Sequence, residues 1–336
     1  MNPARRWPVH PRPEPGEALT SWLRRIASRY DADLDDLVSD VGFWPEAVGD
    51  LDTCPPDGFA RELSERTGVD VEQIRRMSLT GWSPWLIDPI GPGPDTFTVY
   101  NQQFSVLLGV GRRRVREIPT WLPWRSTRPA LRACPQCIAA AQPPYPYQLL
   151  WLLPLTLSCP FHKCFLGVRE NPVSQLADWE HKPPIPRPAS PTVLKMDART
   201  WQAMATGVAD LPGRRIHAET WFRLLRTIID ELEATITECT TAARMITGIW
   251  KDAGYPARVG PLSWQPHESY PVDVQVRALQ TAATAIHLLE RGTLTGRGPD
   301  AAFFVPVLGV ADMEPQGRPL DLGVLSAQEL NKRVRA

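Results

Sequence analysis

Cys134-Pro-Gln-Cys137 and, 21 residues further on, Cys159-Pro-Phe-His162 restrict the folding of this chain more than any other stretch of it. Zinc takes four soft or borderline ligands at tetrahedral corners, and three thiolates with one imidazole form a common set. A C-x2-C step lets a tight turn aim two sulfurs at one ion, and a C-x2-H step does the same with a longer second arm. The gap is slightly longer than that of four-cysteine ribbons, but it still closes a compact loop. The spacing predicts one structural zinc held by Cys134, Cys137, Cys159 and His162, with Cys164 as the alternative fourth ligand. Four good ligands fill the shell, whereas catalytic zinc keeps a position open for water. The segment 143–157 is expected to form a hairpin or short strands between the knuckles.

Two other readings of these residues are weaker. Cys-x-x-Cys pairs in a chain without secretory features bind metal or do redox chemistry more often than they form disulfides. A thioredoxin-like role needs a βαβ context around Cys134, and the flanking sequence has none. Lone Cys54 and Cys239 read as core residues. His181, His217, His267 and His287 stand at no ligand spacing from a cysteine, so no second metal site is expected.

A length of 336 residues allows two or three domains. Hydrophobic residues at 43% and charged residues at 22% are ordinary for a globular protein. The 36 prolines imply many loops and broken elements. Thirty-seven basic residues balance 37 acidic ones, so only local clusters can mark a nucleic-acid surface. From Arg112 to Arg132 there are seven arginines and one acid, Glu117. Arg112, Arg113, Arg114 and Arg116 are the candidate phosphate contacts, the alternative being arginines paired with acids elsewhere. The start lacks the apolar core of a signal peptide, and the apolar runs 149–157 and 301–310 are too short to span a bilayer. The chain is expected to be cytoplasmic, without membrane contact.

Along the chain, Leu19, Trp22, Leu23 and Ile26 recur at helical spacing within residues 17–30, and a shorter helix is expected from Asp33 to about Val41. Residues 59–77 read as two short helices. Gly68 closes the first in the left-handed conformation, Asp70 caps the second, and Gln73 completes a capping-box pattern. Such a pair is a helix-turn-helix or an ordinary helical hairpin. In the first case Glu72, Gln73, Arg75 and Arg76 occupy the exposed start of a recognition helix.

Residues 81–124 are loop-rich, with Trp82, Trp85, Trp121 and Trp124 beside prolines. These rings either stack on bases or, the preferred reading, pin loops to a core. The prolines of 171–191 read as a semi-rigid linker. Beyond it the sequence turns helical. Trp221, Leu225, Ile228, Leu232 and Ile236 form one stripe, and Val276, Leu279, Ala283, Ile286 and Leu289 another. The expected architecture is therefore mainly α, with a small zinc-ribbon-like module. It comprises an N-terminal helix-turn-helix region (10–125), central knuckles (126–170), a proline-rich linker (171–194) and a C-terminal helical domain (195–336).

Several phrases in this order resemble the TniQ family, which includes TnsD-type target selectors. They are Pro13-x-Pro15-x-Glu17-x-Leu19-x-Ser21-Trp22-Leu23-x-Arg25, Thr67-Gly68-Val69 with Met77-Ser78-Leu79, Arg132-x-Cys134-Pro135-x-Cys137, Tyr147-x-x-x-Trp151-x-Leu153-Pro154, and Cys159-Pro160-x-His162-x-x-x-Leu166. The resemblance covers about residues 10–170. It implies a non-catalytic transposition adaptor that connects target DNA, or a guide-RNA complex, to an AAA+ ATPase which recruits the transposase. No Gly-Lys-Ser/Thr phosphate loop is present, in line with a chain that is not itself the ATPase. Some relatives carry two zinc fingers, whereas this sequence supports one. A protein-interaction scaffold and a helix-turn-helix transcription regulator, the latter a symmetric dimer, are the alternative readings.

Overall fold

The computed structural model describes residues 6–44, 50–87, 91, 93–126, 130–169, 184–256 and 264–306. The architecture is mainly α-helical, with two small antiparallel sheets and a Cys/His cluster in its middle.

Four N-terminal helices share their own core. They are α1 (Leu19–Arg29), α2 (Leu34–Asp40), α3 (Phe59–Thr67) and α4 (Val71–Arg75). The stripe of α1 that carries Leu19, Trp22, Leu23 and Ile26 meets Leu37 and Val38 of α2, Phe59 and Leu63 of α3, and Ile74 of α4. Each turn is fixed locally. Asp33 caps α2 through a reciprocal box with Asp36. Gly68 ends α3 at φ 72°, a conformation that suits a residue without Cβ. The Asp70 carboxylate takes the amides of Glu72 and Gln73 at the start of α4. That cap is one-sided, so Gln73 does not close the box that its spacing suggested.

A second and larger core runs from Ala18 to Phe304. It joins the tryptophan-rich loops, α5 (Thr96–Asn101), the Cys/His module, α7 (Pro191–Thr206), α8 (Ala218–Glu233), α10 (Ala243–Asp252) and α11 (Val272–Glu290). Between these lie α6 (Pro135–Ala140) in the metal module and the single turn α9 (Ile236–Cys239). Trp82, Trp121 and Trp124 are buried, pinning loops to the core. Helix α7 begins at Pro191 behind a Ser190 cap, so residues 191–194 are helical. Proline suits that first position because its missing N–H would have had no intrahelical partner. The expected linker residues 171–183 lie outside the described residues.

Helix α8 departs from the amphipathic stripe expected of it. Its apolar residues are buried on several faces, and so are Arg223, Arg226, Asp230, Glu231 and Glu233. A helix enclosed on all sides must partner its polar groups internally. Arg226 makes a two-pronged pair with buried Glu268, at 3.1 and 3.2 Å. Glu268 also receives Trp121 Nε1 and the Trp124 amide, both at 2.9 Å. Glu231 accepts the amides of Val106 at 3.1 Å and Leu107 at 2.6 Å. The loops before the metal module are thus bolted to a C-terminal helix by carboxylates.

Candidate metal centre

Pairing of β1 (Leu131–Ala133) with β2 (Gly167–Arg169) brings the two knuckles together, with Ala133 opposite Gly167. Cys134 follows β1 as the N-cap of α6, and Pro135 occupies its first position. One helical turn then places Cys137 on the same side as Cys134. The second knuckle is a tight reversal. Lys163 N donates to Cys159 O and Cys159 N to Cys164 O, both at 2.9 Å. Lys163 sits at φ 52°, the left-handed strain such a reversal demands.

The ligand atoms of Cys134, Cys137, Cys159 and His162 all lie within 4.8 Å of one another. His162 Nδ1 stands 3.4, 3.3 and 3.6 Å from the sulfurs of Cys134, Cys137 and Cys159. The Cys137 and Cys159 sulfurs are 3.7 Å apart. A tetrahedron with Zn–S of about 2.3 Å and Zn–N of about 2.0–2.1 Å has edges of roughly 3.5–3.8 Å. The donor set and its spacing therefore fit a metal ion, and zinc by the softness of the donors. Cys164 falls outside the four. Its sulfur is buried 3.6 Å from that of Cys134, and burial pushes its thiol up to about 12. The hydrogen bonds that Cys137 and Cys159 give to Cys134 pull its thiol down. The same bonds push Cys137 up, and Cys159 to about 11. Three such sulfurs ionise together only around a cation.

The expected hairpin across 143–157 does not form. A 3-10 turn spans Leu149–Leu152, and the segment ahead of it pairs with the N-terminus instead. Ala18 N donates to Tyr147 O at 3.0 Å, and Leu149 N to Gly16 O at 2.9 Å. Prolines at 143, 144, 146 and 154 remove the donors a hairpin ladder needs. Glu17, just ahead of α1, and Ser21 and Arg25 on it support the junction as a linked polar group. Glu17 takes Ser21 Oγ at 2.9 Å and Arg25 Nη1 at 2.6 Å, and Ser21 Oγ accepts the Tyr147 amide at 3.0 Å. Glu17 is held above the usual carboxylate range by burial.

Two supports of the second knuckle carried no readable sequence signal as such. Arg132 is buried and donates to Thr156 O at 3.0 Å, and burial lowers it to about 10. Asp197 of α7 accepts Leu157 N, Ser158 N and Ser158 Oγ at 3.0, 2.7 and 2.6 Å. Only the position of Arg132, two residues ahead of Cys134, hints at its role.

The candidate nucleic-acid residues divide. Glu72, Gln73, Arg75 and Arg76 are exposed on and just after α4, with Arg75 paired to Glu72 at 2.6 Å. The arginine cluster lines a groove of about 890 Å³ with Trp264, Thr235 and Glu238. Within it, Arg113 is only 8% exposed. It donates to Asn101 O and Phe104 O and faces Asp230 at 3.5 Å. Arg116 pairs with Glu238 at 3.0 Å and lies 3.6 Å over the Trp264 ring. These two are committed to the interior, the alternative that the sequence left open for the cluster. Acids on and just after α8, more than 100 residues away, claim them. Arg112 and Arg114 are exposed and make no ion pair among the described residues.

No helix among the described residues is long and apolar enough to cross a membrane. Neither the curated proteins nor the solved structures give a match to this chain. The TniQ family model matches residues 8–166, from the start of the N-terminal helical unit to the end of the second knuckle. Residues 8–166 thus form a TniQ domain, the domain of a family associated with transposition.

Proposed function

We propose that this protein is a zinc-stabilised targeting adaptor of a transposition system, linking target DNA or a guide-RNA complex to an AAA+ ATPase and, through it, to a transposase. The TniQ domain carries the reading. Within it the helix-turn-helix unit and the metal module are one assembly, since the chain entering α1 pairs with the chain between the knuckles. The adaptor does no chemistry. The four ligands fill a tetrahedral shell, so zinc acts as a staple. Gln73, Arg76 and the unpaired part of the Glu72–Arg75 couple face duplex DNA from α4, and Arg112 and Arg114 add phosphate contacts.

A salt-dependent gel shift tests the DNA half. Binding that weakens as salt rises, because neutralised phosphates release counterions, supports it. Absence of any duplex binding at low salt removes it. Co-purification with an AAA+ transposition ATPase tests the adaptor half. The internal pairing of Arg113 and Arg116 favours a second reading, a protein-interaction scaffold. Under that reading the ATPase co-purifies without any DNA requirement.

A further inference from the structure

The turn of the second knuckle presents three consecutive side chains outward. Phe161 is 54% exposed, and His162 and Lys163 are exposed beside it. The tip is held in place by backbone hydrogen bonds. The Lys163 amide is bound to Cys159 O, and its carbonyl accepts Ala189 N at 3.0 Å. His162 turns Nδ1 toward three sulfurs, so Nε2 points away from them. A ligating imidazole ordinarily gives its second N–H to a carboxylate or carbonyl. Here Nε2 has no partner among the described residues, and the Lys163 ammonium has no acid among them. The segment that forms the metal module carries no acid of its own, because no Asp or Glu occurs from Ile118 to Arg169.

We infer that this tip, Phe161-His162-Lys163, is a contact for an unstacked nucleotide of single-stranded nucleic acid, separate from the α4 surface. A ring of this exposure offers a π-face, which a base takes up by stacking without regard to sequence. The ammonium and the outward N–H supply donors for the adjoining phosphate. A duplex keeps the faces of its bases covered by their neighbours, so the free ring suits a strand already opened. An acidic protein partner would use the donors but leave the ring in water. A displaced DNA strand and a guide RNA present the same chemistry, a base on a phosphodiester.

The test uses the full zinc-loaded chain and fluorescence anisotropy with labelled 12-nucleotide oligothymidylate, oligouridylate and a DNA duplex. Phe161→Ala is expected to weaken both single strands by about tenfold. Lys163→Ala is expected to flatten the salt slope by roughly 0.7. Arg76→Ala is read on the duplex, so failure of the α4 reading and failure of this one are seen on different probes. Equal affinity for the two oligomers assigns the contact to base and phosphate, and a preference for oligouridylate adds the 2′-hydroxyl. The inference is overturned if the parent binds no single strand. It is also overturned if Phe161→Ala binds within twofold of the parent, weakens only the duplex, or sheds zinc. Loss of ATPase co-purification with oligomer binding intact would make the tip a protein contact instead, and would likewise overturn it.

Discussion

Asp197 holds Ser158 by both its amide and its hydroxyl, at 2.7 and 2.6 Å, one residue ahead of the zinc ligand candidate Cys159. A helix outside the TniQ match thus fixes the entry to the second knuckle. Removing the carboxylate leaves the Leu157 and Ser158 donors buried and unpaired, at about 1–3 kcal/mol each. Asp197→Ala should therefore destabilise the protein by about 3 kcal/mol or more in chemical denaturation. It should also speed zinc transfer to a chelator. Unchanged release kinetics would show that the knuckle stands without α7.

Metal removal should act on the same region. Zinc content is expected at about one per chain. Cys134→Ser and Cys159→Ser should each lose the ion and unfold the middle of the protein, because metal binding in such modules is folding free energy. Cys164→Ser should keep it, since its sulfur lies outside the four-atom cluster. Elemental analysis of the purified variants checks all three. Full occupancy in the Cys134→Ser/Cys159→Ser double variant would refute the ligand set.

These sites were legible to different degrees for a physical reason. The knuckles are local, with ligands three residues apart within each, so spacing alone found them. The turn of Gly68 and Asp70 and the stripe of α11 are local as well. The fates of Arg113 and Arg116 depend on Asp230 and Glu238, distant in sequence, and nothing near residue 113 announces them. Helix α8 misled because its buried charges look like a solvated face until Glu268 and the 105–107 amides are seen to meet them. The hairpin of β3 (Val208–Leu211) and β4 (Arg214–His217) left only the hint of Gly213 at φ 75°.

Glu231 gives a pH dependence of definite sign. Burial pushes its carboxyl up to about 7 from an ordinary 4.5, against the opposing pull of Arg113 and the loop amides. The folded state therefore holds a proton that the unfolded chain gives up. The stability contributed is fully present below about pH 4.5 and is lost as pH rises through about 7. The slope in that window is at most about 1.4 kcal/mol per pH unit. Glu231→Gln should remove this slope between about pH 5 and 7, read as the difference from the parent in denaturant midpoints with zinc present. A parallel pair of curves would assign the slope to other groups.

The divided arginine cluster yields the sharpest separation of stability from binding. Arg113 is nearly enclosed and supplies charge opposite Asp230 and Glu231, together with bonds to the carbonyls of Asn101 and Phe104. Truncating it strands buried carboxylates, and breaking such a pair costs about 3–5 kcal/mol. Arg112 and Arg114 are exposed, so their removal should change stability by less than about 0.5 kcal/mol. For every phosphate that an arginine no longer neutralises, the salt dependence of duplex binding should flatten by about 0.9. Arg113→Ala should thus lower the melting temperature and leave the salt slope of the surviving folded fraction unchanged, while Arg112→Ala/Arg114→Ala should do the reverse. Denaturation and anisotropy titrations on the same preparations decide it. If the double variant binds duplex with the parent's slope, the groove takes no part in DNA contact and the scaffold reading gains.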